Sequence, residues 1–387
     1  MIYFYWPAGV LLALAWVSRV IDSGLGARTM ANISRPEWDR SPEGAPKASV
    51  IVPARNEQAT IRQTLESLLR QEYQNVEVIA VNDRSDDATG ELMNEVARSD
   101  NTGRLKIIHV KDLPADWMGK PHAMWLGAQQ ATGDWLLFTD GDIIFRPDCL
   151  RRALTYAQTT ATDHLVLTPL VIMKGIGEKM AITFFGILFI FGHRPWKAAD
   201  PKAPDYVGFG AFNLIRRTTY DAIGTHQRLR FEVLDDMKLG KLVKDNGFRQ
   251  RCVNAADMIS VRWVKGAIGV AHNLTKNLFA LLQYKVLKSL GACFALAFLN
   301  WMPFLGIWLA PGWSRLPFAL ALIAIFLIYY GVSLKVPVSP LYFFLHPAGT
   351  GLFIYAVLRS MLLTLLRKGV VWRGTLYPLD ELRKGMV

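Results

Sequence analysis

The chain has 387 residues and a mass of 43.5 kDa, and 44 Lys and Arg against 32 Asp and Glu give a formal charge of +12. Hydrophobic residues make up 51% of it, charged residues 20%, and the mean hydropathy is +0.19. That composition excludes intrinsic disorder and argues against a purely soluble single domain. Three scattered cysteines, Cys149, Cys252 and Cys293, are too few for a disulfide framework or a CxxC metal knuckle. The basic balance fits a nucleic-acid surface or an anionic membrane face, and the apolar runs favour the membrane.

Ile2 to Val17 carries no charge and is slightly short of the about 20 apolar residues of a bilayer span. It lacks the basic start and cleavage site of a signal peptide, so it reads as an uncleaved anchor, with a buried core helix as the alternative. Arg19, Arg28, Arg35, Arg40 and Lys47 follow it. The positive-inside rule then puts the N-terminus outside and the next domain in the cytoplasm. The anchor is assigned to residues 1–20, and a linker marked by Gly44 and Pro46 to 21–47.

A βαβ rhythm opens at residue 48. Ala48 to Val52 predicts a strand and Glu57 to Gln71 a helix, with Ile61, Leu65, Leu68 and Leu69 on one stripe. Val76 to Val81, Leu105 to Val110 and Trp135 to Phe138 predict further strands, and Lys120 to Ala131 a helix. Alternating strands and helices mean an α/β fold with a parallel-rich sheet, here assigned to residues 48–264. Ligands of such sheets sit beyond the carboxyl ends of the strands. The sequence places Pro53-Ala54-Arg55-Asn56-Glu57, Asp83 and Asp140-Gly141-Asp142 there. No GxGxxG follows the first strand and no GxxxxGK[ST] occurs, so dinucleotide oxidoreductases and P-loop NTPases lose their main support.

Asp140 and Asp142, one residue apart at a strand end, suit a hard cation such as Mg²⁺ or Mn²⁺ bridging to substrate phosphates. A solvated turn is the alternative, and the apolar strand aimed at the pair favours the metal. Asp235-Asp236 opens a helical pattern and reads equally as helix capping or as a general base towards a hydroxyl. Gly208-Phe209-Gly210 reads as a close approach of a ligand to the backbone or as a strand bend.

Met180 to Gly192 is too short to span and too apolar for open solvent. Lys265 to Gln283 is amphipathic, with Lys265, His272, Lys276 and Gln283 opposite Val270, Leu274, Leu278 and Leu281. It predicts a helix lying on a membrane surface, or one packed on the domain core. An interfacial helix is assigned to 265–289, a transmembrane region to 290–366 and a basic tail to 367–387. Within the region, Leu290 to Pro311 and Leu316 to Leu334 are long enough to span. Val336 to Leu358 is interrupted by Pro347, Gly349 and Gly351 and reads as a broken or re-entrant helix. Three full spans would put Arg367, Lys368 and Arg373 outside, so the reading is two spans and a re-entrant element.

VPARNE, VNDRSDD, the Gly-Lys at Lys120, FTDGD, a glycine-rich strand ending in IRR, and LDDMKLG occur in that order. Together they resemble the family 2 glycosyltransferases, over roughly Ala48 to Lys276. The membrane layout and the W-R-G-x-x-Y tail at Trp372 to Tyr377 resemble the lipid-modifying branch, which includes ceramide glucosyltransferase-like, hopanoid-associated and carotenoid-acid glycosyltransferases. The resemblance implies a GT-A nucleotide-sugar fold with an N-terminal anchor and C-terminal transmembrane helices. It implies that Pro53, Arg55, Asn56 and Glu57 hold the nucleoside, that Asp83 contacts uracil, and that Lys120 lies beside the nucleotide. Asp140 and Asp142 would hold the ribose and a diphosphate-bound Mg²⁺ or Mn²⁺. Asp236 would be the catalytic base, with Asp235 beside it. Gly208, Gly210, Arg262 and Trp263 would line the acceptor and diphosphate side. Ile259 stands where the family's [QR]xxRW element has a polar residue, which favours a single transfer over polymer synthesis. Arg262 reads equally as a membrane-surface arginine.

The expected activity is inverting transfer of one sugar, from UDP-glucose or a similar nucleoside diphosphate sugar, to a membrane lipid. The expected place is the inner or cytoplasmic membrane, multi-pass, with the catalytic domain cytoplasmic and no nucleic-acid partner. A processive polysaccharide synthase and a non-catalytic membrane protein with a glycosyltransferase-like domain are the rivals.

Overall fold

The computed structural model describes residues 2–386. Met1 and Val387, the ends of the predicted anchor and tail, lie outside the described residues. The chain forms two compact units.

The α/β unit comprises Met30–Ile172, Pro195–Trp263 and the residues from Asp380 onward. Its strands are β1 (Ala48–Ala54), β2 (Val76–Asp83), β3 (Leu105–Val110), β4 (Trp135–Phe138), β5 (Ile143–Phe145), β6 (His164–Thr168), β7 (Leu170–Val171), β8 (Asn213–Arg216), β9 (Gln250–Asn254) and β10 (Ile259–Val261). Seven form one sheet in the order β3-β2-β1-β4-β8-β6-β9, and β5-β10-β7 form a second. The large sheet is mixed, because β8 runs antiparallel to both β4 and β6. Alternation along β1 divides the core between the two faces. Val50 and Val52 point to the helices Ile61–Leu69, Thr89–Ser99 and Cys149–Thr159, and Ile51 points to Gly119–Gln130, Arg217–Ala222 and Asp235–Asp245.

The predicted helix over 57–71 is shorter, Ile61–Leu69. The preceding residues form a loop instead, with Asn56 at φ 53°. Residues from Met30, predicted as linker, are tied down. Asn32 bridges Asn254, and the buried Arg152 donates to the carbonyl of Arg35 at 3.0 Å.

The second unit comprises the residues up to Thr29, Met173–Arg194 and Val264–Leu379. Among the described residues, five helices are long and apolar enough to cross a membrane: Tyr5–Thr29, Ile176–Lys197, Val286–Leu309, Gly312–Ser333 and Pro340–Leu366. Small residues let them approach closely, as Gly349 does against the Phe184 ring at 2.9 Å from a built Cβ. His346 is buried between the Tyr329 hydroxyl at 3.2 Å and Asn300 Oδ1 at 3.0 Å.

Three expectations change. The segment containing Met180 to Gly192 belongs to a 17-residue helix, Ile176–Gly192, of span length once its flanks are counted. Pro347 does not break the last helix; it occupies the first turn of His346–Leu366, where a missing N–H is harmless. The predicted amphipathic helix over 265–283 is two pieces, Ala267–Leu274 and Leu278–Leu281. Val270, Leu274 and Leu278 are buried within the unit, so most of the apolar face packs on protein. Leu281 alone of the four remains exposed.

The W-R-G-x-x-Y tail is a hairpin of β11 (Gly369–Trp372) and β12 (Thr375–Pro378). Its two-residue turn has Arg373 at φ 47° and Gly374 at φ 81°, the left-handed pair that hairpin twist demands.

Candidate active site

The candidate residues collect at the carboxyl ends of β1, β2 and β4. Parallel pairing carries β1 to Ala54 beside Asn82 of β2. The loop after β1 is then stitched to the loop after β2. The Asn56 amide donates to Ser85 Oγ at 3.1 Å, the Glu57 amide to Thr89 Oγ1 at 2.8 Å, and the Asp86 amide to Asn56 Oδ1 at 2.9 Å. Pro53 and Asp83 are buried, Arg55 and Glu57 half-buried, and Asn56 exposed. Arg84 grips Asp83 with two bonds, Nε to Oδ1 at 2.7 Å and Nη2 to Oδ2 at 3.1 Å. The turn after β4 is fixed as well, because Thr60 and Thr64 donate to the Gly141 carbonyl at 3.2 and 3.1 Å.

The antiparallel β8 brings the second acidic pair to the first. Phe138 pairs with Asn213, so the residues just before Asn213 run past the end of β4. The Gly210 carbonyl accepts from the Asp140 amide at 2.9 Å, and the Gly210 amide donates to Asp236 Oδ2 at 2.8 Å. A Cβ at Gly210 would collide with the Asp140 carboxylate, and one at Gly208 with the Asp236 backbone carbonyl. Both glycines are therefore required by close approach within the protein itself.

Asp235 and Asp236 occupy the first turn of Asp235–Asp245, where the helix dipole favours negative charge. Lys120 lies 2.8 Å from Asp140 Oδ1 and 3.5 Å from Asp235 Oδ2. Burial alone would depress its ammonium, but Asp140, Asp235 and Asp236 outweigh that and hold it well above the ordinary lysine range. Burial raises Asp236 above the ordinary carboxylate range, with Lys120 and the backbone amides of Met237 and Gly210 pulling the other way. The result is a tight acidic centre around one ammonium, with Asp236 held as a weaker acid than a free aspartate.

Residues 49–224 match the model of glycosyl transferase family 2. They form a family 2 glycosyltransferase domain. The match contains Pro53 through Asp142, Gly208 and Gly210, and ends before Asp235 and Asp236. The 4,4'-diaponeurosporenoate glycosyltransferase of Staphylococcus aureus strain USA300 is 29% identical over 194 residues. That alignment covers 50% of this chain and 50% of the relative, so the chain spans about half the length of the curated relatives it matches. Among solved structures, the mannosyltransferase PcManGT of Pyrobaculum calidifontis, in complex with GDP-Man and Mn²⁺, is 18% identical. It aligns over 94% of this chain and 100% of its own with a TM-score of 0.56, and the shared fold is GT-A-like.

Among the described residues of the glycosyltransferase domain, no three His, Cys, Asp or Glu side chains form a metal cage. The donor set still fits a divalent ion. Asp140 and Asp142 offer carboxylate oxygens at one strand end, and Mg²⁺ or Mn²⁺ ordinarily takes one or two carboxylates and completes its shell with phosphate and water. Asp140 also pairs with Lys120, and Asp142, half-buried, is the second candidate ligand of the pair.

Arg262 and Trp263 follow β10 and are half-buried. Ile259 opposes Phe145 across the small sheet and is 1% exposed. Core packing thus explains an apolar residue at that position.

Sequence reasoning missed a buried polar chain behind the glycosyltransferase domain's acidic centre. Gln250 Nε2 donates to His164 Nδ1 at 2.8 Å, and His164 Nε2 to Asn213 Oδ1 at 3.1 Å. Asn213 Nδ2 then donates to the Phe209 carbonyl at 2.6 Å, while Gln250 Oε1 accepts from the Val207 amide at 2.9 Å. The chain clamps both sides of Gly208 and so sets the segment that reaches Asp140 and Asp236. Burial lowers His164 to about 4, which keeps it neutral, and its partners Gln250 and Asn213 set its tautomer. Nothing local in the sequence marks it, since its partners lie 49 and 86 residues away.

Proposed function

We propose that the protein is an inverting glycosyltransferase that moves one sugar from a nucleoside diphosphate sugar to a membrane lipid. The observation that carries this reading is the convergence of Asp140, Asp235, Asp236 and Lys120 at the strand ends of a family 2 domain. The lipid acceptor is supported by the relative named for a carotenoid acid and by the apolar helices of the same chain.

The roles follow from chemistry. The loop of Pro53, Arg55, Asn56 and Glu57 seats the nucleoside, and Asp83, oriented by Arg84, meets the base, taken here as uracil. Asp140 faces the ribose. Asp142, with Asp140, would hold Mg²⁺ or Mn²⁺, which when bound neutralises charge on the departing diphosphate. Asp236 accepts the proton of the acceptor hydroxyl as that oxygen attacks the anomeric carbon. It suits this better than Asp235, which is 2% exposed, because a base must be reached by its substrate. Arg262 and Trp263 serve the acceptor and diphosphate side. Direct displacement needs no carboxylate nucleophile, unlike a retaining glycosidase. Support for one transfer over a processive synthase comes from the sequence alone, where Ile259 replaces the polar residue of the [QR]xxRW element.

The layout proposed is multi-pass in the cytoplasmic membrane, with the catalytic domain cytoplasmic. Strand pairing limits the number of crossings. β8 and β9 follow the Ile176–Lys197 helix yet join β4 and β6, which precede it. That pairing supports a layout in which both flanks of the helix lie on one side and it does not cross. Residues from Asp380 belong to the same α/β unit, with Gly385 against Phe231. That grouping favours an even number of crossings between Val264 and Asp380, in keeping with two spans and a third helix that returns.

Purified protein incubated with native lipid extract and a panel of radiolabelled nucleotide sugars tests the reading. Label should enter the organic phase from one donor. No label there with any donor would refute it.

A further inference from the structure

Two helix starts build the acidic centre of the glycosyltransferase domain. Gly119–Gln130 carries Lys120, and Asp235–Asp245 carries Asp235 and Asp236. One short run of chain, Arg230 to Glu232, is bonded to both. The amide of Met118, the N-cap of the Lys120 helix, donates to the Arg230 carbonyl at 2.8 Å. Arg230 Nη1 also donates to Asp116 Oδ2 at 3.0 Å. On the other side Glu232, 4% exposed, pairs with Lys238 of the second helix at 3.5 Å. The Glu232 amide donates to the Leu229 carbonyl at 2.9 Å, which closes the run onto the short helix His226–Leu229. Phe231, half-buried, stands between these attachments.

Phe231 is itself seated from a distant part of the sequence. Residues from Asp380 belong to the same α/β unit and make up most of the helix Leu379–Lys384. Leu382 of that helix is fully buried, and the Gly385 amide closes its end by donating to the Glu381 carbonyl at 3.0 Å. Gly385 then lies hard against Phe231. A Cβ built on it would collide with Phe231 Cβ and stand 3.0 Å from Cγ and Cδ2. The obstruction is the root of the side chain, so no rotamer of Phe231 removes it. Arg230 covers the ring, with its guanidinium carbon 5.9 Å from the ring centre.

Close-packed interiors pass small displacements on rather than absorb them. A shift at Phe231 therefore reaches Arg230 and Glu232, and through their bonds both helix starts. The Lys120 contacts of 2.8 Å to Asp140 and 3.5 Å to Asp235 depend on how those starts are set against each other. We infer that Phe231 is a positioning residue of the acidic centre and that Gly385 is the seat that fixes it. Phe231 acts through the two helices and not on substrate. The kinetic consequence rests on the proposed sugar transfer, and the structural consequence does not.

The test compares Phe231→Ala and Gly385→Ala with the parent, as the full chain in detergent micelles, by hydrogen exchange and by kinetics. Alanine suffices at 385, because a single Cβ already collides. Two amides report the centre: Met118, bonded to Arg230, and Gly210, bonded to Asp236. Both variants should speed exchange of these amides about tenfold, the scale of one weakened hydrogen bond. The Val78 amide, bonded to the Arg104 carbonyl in the parallel half of the sheet, should keep the parent's rate. Both variants should also lower kcat about 100-fold, the scale of a misplacement of about 1 Å, with the KM for the nucleotide sugar unchanged. A merely structural contact would speed Val78 in step with Met118 and Gly210 and leave kcat per folded molecule intact. Lys384→Ala, exposed beside Gly385, should change neither readout. Phe231→Ala removes a ring without creating a clash, so it carries the test if Gly385→Ala does not fold. The inference is overturned if Phe231→Ala leaves Met118 and Gly210 exchanging as in the parent, if exchange rises while kcat is unchanged, or if Lys384→Ala has the same effect. If exchange rises as expected while the parent transfers no sugar from any donor, the transfer reading fails and the positioning role stands.

Discussion

Lys120 and Asp140 form an ion pair of 2.8 Å at the mouth of the sheet, and the same ammonium lies 3.5 Å from Asp235. Helix Gly119–Gln130 and helix Asp235–Asp245 both deliver these groups with their first turns. The lysine is therefore the counter-charge set among these carboxylates. Lys120→Met should destabilise the α/β unit by roughly 3–5 kcal/mol, the scale for leaving a buried charge unpaired. Denaturant titration of the full chain checks this, and unchanged stability would deny Lys120 its role.

The two acids of the helix should separate in kinetics. Asp236→Asn should lower kcat by at least about 100-fold, the usual scale of general-base catalysis, with nucleotide-sugar binding retained. If Asp235→Asn is the crippling change and Asp236→Asn is mild, the base is the neighbouring residue. The acid limb of kcat should also report Asp236. Its carboxyl is raised by burial, and the protonated form cannot accept a proton, so activity should fall at a pH above the free-aspartate value of about 3.9.

Metal dependence follows from the oxygen donors of Asp140 and Asp142. EDTA should abolish transfer, Mn²⁺ or Mg²⁺ should restore it, and Asp142→Ala should remove activity while the protein stays folded. Full activity in chelator would remove the ion from the account.

His164 and His226 make a pH prediction. Burial lowers them to about 4 and about 3, from an ordinary value of 6.5. Between 6.5 and those values the unfolded chain binds more protons than the folded one. Stability should therefore be fully present above 6.5 and fall as the solution is acidified, by up to about 1.4 kcal/mol per pH unit for each histidine. His164→Gln should flatten that slope in unfolding curves taken across the window. An unchanged slope would show that His164 titrates equally in both states.

The parallel half of the sheet was legible because β1, β2 and β4 are largely apolar runs with polar residues at or just beyond their ends, as strands buried on both faces are. The acidic residues at their ends followed from that. The rest depended on distance along the chain. Between β7 and β8 the chain leaves for the Ile176–Gly192 helix, so the antiparallel return that brings Gly210 to Asp140 has no local signal. The 265–283 segment has helical periodicity throughout, yet it breaks after Leu274, and Gln283 and Tyr284 take φ 58° and 54°. Its predicted membrane face is mostly protein interior, because Val270, Leu274 and Leu278 pack within the unit. Periodicity reports that a face is buried, without naming what buries it.

The central claim is single, inverting transfer to a lipid, and the structure of the product tests it most directly. Long- and short-chain versions of one hydroxylated acceptor are offered in liposomes with the active nucleotide sugar. The products are weighed by mass spectrometry, and their anomeric linkage is read by NMR. The account expects one added sugar, opposite in anomeric configuration to the donor, with the long-chain acceptor strongly preferred. A ladder of added sugars, a retained configuration, or equal rates on the short-chain acceptor would contradict it.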